Sequence, residues 1–262
     1  MKIDRARAQK AFADYAAHYN AADPKVKLKI DHTYRVAALC DCIAKSLTLP
    51  PEDADLAWLS GMLHDVGRFE QLRRYNTFID AQSINHAALS ASVLFDEGHI
   101  RDYIDDAAED ALLRTAGGGA TALAWHSAFR LPEKLDDRTR MFCQILRDAD
   151  KIDILRVNVE TPMEEIYSVS TEALRQSPVT PAVLDAFYEH HCILHSLKKW
   201  PADNAVGHAS LVFELCYPES LRIVDEQGWL WQLLDFKTEN PDTAKAFEAI
   251  ADEMKRWIGE HM

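Results

Sequence analysis

The stretch Leu56-Ala57-Trp58-Leu59-Ser60-Gly61-Met62-Leu63-His64-Asp65-Val66-Gly67-Arg68 decides how this chain is read. An apolar helical run ends on an imidazole beside a carboxylate, which puts the pair at the wall of a core and not on a solvated face. Burying a carboxylate costs several kcal/mol unless it is paired, and a divalent cation is one of the few partners that makes such a position tolerable. Eleven histidines in 262 residues produce some His-Asp neighbours by chance, and the dipeptide alone is more often a structural pair than a metal site. Its company changes the balance. His32, His86, His126 and Asp150 stand in separate helix-like segments, each near an apolar stripe, and all are residue types that bind transition metals.

Outward from this stretch the periodicity is helical, and the chain reads as all-α. Only short ambiguous runs such as Ser220 to Val224 look strand-like. A first helix is predicted from about Asp4 to Tyr19, with Phe12, Tyr15 and Ala16 on one face, broken by Ala21-Ala22-Asp23-Pro24. A second carries His32, Val36, Leu39 and Ile43 in register, which turns His32 inward. Pro50-Pro51-Glu52-Asp53 opens the helix that leads into His64-Asp65 and is expected to stop at Gly67. Arg68 to Gln82 then reads as a polar loop over a site, Ser83 as the cap of the next helix, and Gly98 as that helix's C-terminal glycine. A helix from Asp106 to Thr115 and a break at Gly117-Gly118-Gly119 precede the His126 segment. Asp136 to Leu155 is a long helix bearing Asp150, and shorter helices near Ala182 to Ser196, Asn204 to Leu215 and Thr243 to Ile258 complete the chain.

Composition bounds the partners. At 48% hydrophobic residues the chain can fill a sizeable core, and a net charge of -13 argues against a nucleic-acid backbone or an anionic membrane. Cys40, Cys42, Cys143, Cys192 and Cys216 contain no CxxC pair and read as reduced core residues of a cytoplasmic protein. The polar start, Met1-Lys2-Ile3-Asp4-Arg5, does not suit a signal peptide.

Taken in order, Asp31-His32-Thr33-Tyr34-Arg35-Val36, Met62 to Arg68, Asn85-His86-Ala87-Ala88, Trp125-His126-Ser127 and Ala149-Asp150-Lys151-Ile152-Asp153 resemble the HD-domain metal-dependent phosphohydrolase superfamily. The likeness is to its extended form, with two further histidines before the last aspartate. It implies an all-α HD-domain helical bundle with a C-terminal helical extension. We expect one domain over 1–262, with a metal-binding core at about 27–155 and the extension at about 159–262. It further implies that His32, His64, Asp65 and Asp150 hold a first ion, that Asp65 bridges to a second, and that His86 and His126 complete the second site. One or two divalent transition ions (Fe, Mn, Co, Ni or Zn) suit such mixed imidazole and carboxylate donors.

Asp65 and Arg68 are the catalytic candidates, and Arg68, Arg35 and Lys151 the substrate-binding ones. Arg68 stands where many members carry Lys or Arg against a substrate phosphate; for Arg35 a structural ion pair is an equal alternative. Arg73, Arg74 and Tyr75 read as a solvated charge run, the remaining histidines as surface or ordinary core residues, and the six tryptophans as packing residues. The expected activity is hydrolysis of a phosphoester or phosphoanhydride of a small phosphorylated metabolite, a nucleotide first, with no nucleic-acid or membrane partner. The alternatives are a di-iron oxygenase of the same superfamily and a regulatory nucleotide-binding module. Leu211, Phe213, Leu215, Trp229 and Trp231 are expected in the core, with a cover over the site or a homodimer contact as alternatives.

Overall fold

The computed structural model describes residues 3–105, 123–167 and 169–262. The expected helix from Asp106 to Thr115 and the break at Gly117-Gly118-Gly119 lie outside these residues. Among the described residues every regular element is helical and the fold is all-α, and no helix is long and apolar enough to cross a membrane. The chain divides into two compact units, Met1–Asp150 and Lys151–Met262.

In the first unit, α1 (Arg5–Ala16) is capped by the Asp4 carboxylate, which accepts from Arg7 N at 3.0 Å, and buries Ala8, Phe12 and Ala16. It ends at Ala16, short of the expected Tyr19. α2 (Pro24–Ser46) starts on an Asp23 cap and a first-turn proline, and buries His32, Val36, Leu39, Cys40 and Ile43 along one stripe. α3 (Pro51–Leu63) packs on α2. The crossing is close because Gly61 faces it: a Cβ there would lie 2.6 Å from Ala37 Cα. Only hydrogen fits, and the approach carries His64, at the end of α3, against His32 on α2.

Gly67 does not end a helix, and Arg68 to Gln82 is not a loop. After the His64-Asp65 joint the chain enters α4 (Val66–Tyr75), which Asn76 ends in the left-handed region, and only then runs through an extended link to a short 3-10 turn, Asp80–Gln82. Hydropathy concealed this helix because its inner face is mixed: Glu70 and Gln71 are buried beside Val66, Phe69 and Leu72. Gly67 serves contact instead of termination, since a Cβ there would meet the backbone at Ser90 N (2.5 Å) and His86 O (2.8 Å) of α5 (His86–Ala91). α5 is capped by Asn85, whose side chain accepts from Ala88 N; Ser83 instead donates to Ile79 O. Gly98 follows the helical stretch at φ +85°, as expected of a terminating glycine. α6 (Ile100–Tyr103) follows, and α7 (Asp137–Glu160), with Asp136 accepting from Thr139 N at 2.9 Å, carries Asp150 and outruns the expected Leu155. Full burial of Leu59, Leu63 and Phe69 contributes about 1.5–3 kcal/mol each, which lets this unit hold polar groups inside.

The second unit continues through α8 (Met163–Tyr167), α9 (Thr171–Arg175), α10 (Pro181–Tyr188), α11 (Pro201–Ala209), α12 (Pro218–Gln227), α13 (Trp229–Leu234) and α14 (Pro241–His261). Proline in the first turn opens α10, α11, α12 and α14, where a missing N–H costs nothing. The strand-like run Ser220 to Val224 is helical within α12, its buried Ser220, Leu221, Ile223 and Val224 matching one helix face. Phe213 and Leu215 are core residues, and Trp229 and Trp231 are half-buried. Two of the tryptophans expected to pack inside, Trp125 and Trp200, are exposed, as are Cys42 and Cys216.

Candidate metal centre

The centre grows from the joint between α3 and α4. His64 closes α3 with helical backbone and Asp65 precedes α4 at φ -112°, so neighbours in sequence project into one buried space. The Asp65 side chain is 3% exposed, and its two oxygens face different partners. Oδ2 lies 3.7 Å from His32 Nε2 and 3.6 Å from His64 Nε2. Oδ1 lies 3.7 Å from both His86 Nε2 and His126 Nε2. Asp150 Oδ1, from α7, stands 3.2 Å from His32 Nε2 and 3.8 Å from His64 Nε2. All six residues read from the sequence as ligands therefore converge, as two triads that share Asp65, with Asp150 on the His32-His64 side.

Each of three rings is fixed from behind. His64 Nδ1 donates to Gly61 O at 2.7 Å, His126 Nδ1 to Leu123 O at 2.6 Å, and His86 Nδ1 to Asp80 Oδ2 at 2.6 Å. A neutral imidazole with its proton on Nδ1 presents a lone pair on Nε2. With both rings neutral, His86 and His126 point these lone pairs at each other across 3.1 Å, where two acceptors repel. A shared cation removes the conflict: nitrogens each about 2.1 Å from one ion stand about 3.0 Å apart at a right angle and about 3.4 Å apart at the tetrahedral angle. No hydrogen-bond donor among the described residues reaches Asp65 Oδ1, although it is buried between those two rings. An orphaned carboxylate oxygen beside two lone-pair nitrogens fits a divalent ion.

The electrostatics of His64, Asp65 and Asp150 favour the forms that bind a cation. Burial drives His64 down to about 4, against the opposing pull of Asp65 and Asp150, so the ring is neutral at physiological pH. Burial pushes Asp65 up, but Lys29 and His64, with His126 and Arg68, outweigh it and hold the carboxyl well below its usual range. Asp150 is likewise lowered in spite of burial, by His32 and the neighbouring rings.

Several residues that support the site carry no motif. Asp80 accepts from His86 Nδ1 through one oxygen, and through the other from Arg68 Nη1 and Gln71 Nε2, both at 2.9 Å. Arg147, buried on α7, donates through Nη1 to the carbonyls of Trp125 and His126 at 3.2 Å, and to that of Ala128. It satisfies carbonyls at the end of the helical residues 123–125 and just beyond them, and so holds the segment that carries His126. Lys29 donates to Asp65 Oδ2 at 2.7 Å. Its place three residues before His32, on the same helical face, is the one sequence signal that could have found it.

Arg68 is held through Nη1 by Gln71, Phe78 O and Asp80, while its buried Nε, 3.7 Å from Asp65 Oδ1, has no hydrogen-bond acceptor among the described residues. Arg35 is half-buried one turn after His32, and Lys151 is buried directly after Asp150 on α7. Arg73 and Arg74 pair with Glu70 on α4 and are exposed.

Comparison with the curated proteins and with the solved structures gave no match. Residues 30–155, just under half of the chain, match the family model described as HD domain, and this span contains all six converging residues. The helical unit built around His64-Asp65 thus belongs to the HD-domain family, a superfamily of metal-dependent hydrolases whose members bind divalent ions.

Proposed function

We propose that this protein hydrolyses a phosphoester or phosphoanhydride of a small phosphorylated metabolite, with a nucleotide as the first candidate. The observation that carries the reading is the division of the Asp65 oxygens between two histidine pairs, which suits a carboxylate bridging two ions. His32, His64, Asp150 and Asp65 would hold one ion, and His86, His126 and Asp65 the other. Divalent ions held there would lower the pKa of a water toward neutral and would offer open positions to phosphoryl oxygens. The chain's own residues do the rest. Asp80 and the carbonyls of Gly61 and Leu123 lock the imidazoles, so no reorganisation is needed as charge develops. Arg68 Nε, a buried donor beside Asp65, is the group left to receive a phosphoryl oxygen, with Arg35 and Lys151 as outer candidates. In a protein of net charge -13 these local cations set where an anion can enter.

The test is a panel of phosphomonoesters, cyclic nucleotides and dinucleoside polyphosphates, assayed with Mn, Fe, Co, Ni and Zn on wild type and Asp65→Ala. Phosphate release that needs a metal and is lost in the variant is the expected result; turnover that survives without Asp65 overturns the assignment. A second reading, a di-iron oxygenase, is favoured by the four-imidazole donor set, which suits iron. Iron content with oxygen consumption, and no anaerobic phosphate release with Mn, would select it.

A further inference from the structure

Lys29 reaches the same Asp65 oxygen that faces His32 and His64. Its Nζ lies 2.7 Å from Oδ2, and its side chain is only 15% exposed. On the other oxygen the nearest cation is Arg68, whose Nη1 is fixed by a carbonyl, an amide and a carboxylate. The two cations thus differ in freedom. Arg68 is locked by its fork of hydrogen bonds, whereas Lys29 is a point charge on a flexible stem. The Phe78 ring lies 5.5 Å from Lys29 Nζ, a face that accepts an ammonium displaced from a carboxylate.

We propose that Lys29 is a displaceable internal counter-ion: it neutralises Asp65 in the metal-free protein and leaves Oδ2 when an ion enters between Asp65, His32 and His64. The proposal rests on the metal reading of this centre. An ammonium and a divalent cation on one carboxylate oxygen repel at short range in a poorly solvated site, and the monovalent group on the mobile stem is the one that yields. In its absence the metal-free chain would bury Asp65 without a hydrogen-bonded cation, which is costly. Lys29 therefore trades metal affinity for a foldable metal-free state, and the site that shares Oδ2 has a competitor that the site sharing Oδ1 lacks.

Calorimetric titration of Mn²⁺ into the metal-stripped full chain tests this on wild type, Lys29→Met and Lys29→Arg. Lys29→Met is expected to bind Mn²⁺ about tenfold more tightly and to melt at a lower temperature than wild type when metal-free, with recovery on adding Mn²⁺. Lys29→Arg, whose guanidinium grips a carboxylate through two bonds, is expected to bind Mn²⁺ more weakly than wild type; it remains informative if Lys29→Met does not fold without metal. Equal Mn²⁺ affinity across the three proteins, or weaker binding by Lys29→Met, overturns the counter-ion role and leaves the metal centre standing. No Mn²⁺ binding by any of them overturns both.

Discussion

Asp203 in the second unit is fully buried, and each of its oxygens is accounted for: Oδ1 accepts from Thr180 N, and Oδ2 from Thr180 Oγ1, Lys199 N and Trp200 N, all at 2.7 to 2.9 Å. Asp65 in the first unit is buried almost as deeply. Yet among the described residues its Oδ1 has no donor, and its Oδ2 has only Lys29 within hydrogen-bonding distance. Asp203 is a structural knot that ties the start of α10 and the start of α11 together. Asp65 is an acceptor held open by four imidazoles. The histidines repeat the contrast, since His208 of the second unit is held by Tyr167 Oη at 3.0 Å while His86 and His126 face one another with lone pairs. Burial alone does not mark a site; a buried carboxylate oxygen with no donor, set between imidazole nitrogens, points to one.

The contrast breaks most sharply at the two aspartates. Asp65→Ala is expected to abolish metal binding and to lower hydrolysis by about 1000-fold, with elemental analysis and phosphate release as the readouts. Asp203→Ala should do the reverse: it leaves three backbone N–H groups without their acceptor and lowers unfolding free energy by about 3 kcal/mol or more in urea, while metal content stays at the wild-type level. If Asp203→Ala lost metal as well, the division of roles drawn here would fail.

Asp80→Asn sharpens the comparison within the first unit. It removes the carboxylate behind His86 and is expected to weaken metal binding about ten- to a hundredfold with little loss of fold, read by titration beside a melting curve.

The smallest effect belongs to His208, which burial and Lys198 push down to about 3. In the unfolded chain this ring takes up a proton near its ordinary value of about 6.5, so between there and about 3 the unfolded state binds more protons. Stability is therefore complete above that window and falls as pH drops through it, by up to about 1.4 kcal/mol per pH unit. His208→Gln should flatten the slope between pH 6.5 and pH 4.5, measured by urea unfolding at several pH values; an unchanged slope would show that the ring does not resist protonation.

Where hydrophobic periodicity governed, the sequence was legible. The stripe His32-Val36-Leu39-Ile43 is buried as one face, and Gly98 takes the positive φ of a terminating glycine. Where polar groups are buried for the sake of the site, the same logic failed. α4 was hidden because Glu70 and Gln71 point inward, and Gly67 passed for a stop because nothing local shows that α5 lies against it. Ser83 looked like a cap because capping chemistry is shared, and only the three-dimensional path decides that Asn85 turns its oxygen to Ala88 N.

The sequence by itself determined the helical class, the six candidate donors and their order along the chain, because residue type and periodicity are local properties. Tertiary structure alone decided that Asp65 presents one oxygen to each histidine pair, that Asp80 and Arg147 stand behind His86 and His126, and that Lys29 occupies the space beside the Asp65 carboxylate. Those facts depend on two close approaches, Gly61 on Ala37 and Gly67 on α5, which bring residues distant in sequence within reach of one another. Distances between segments are set by packing, and packing is not written in any one segment.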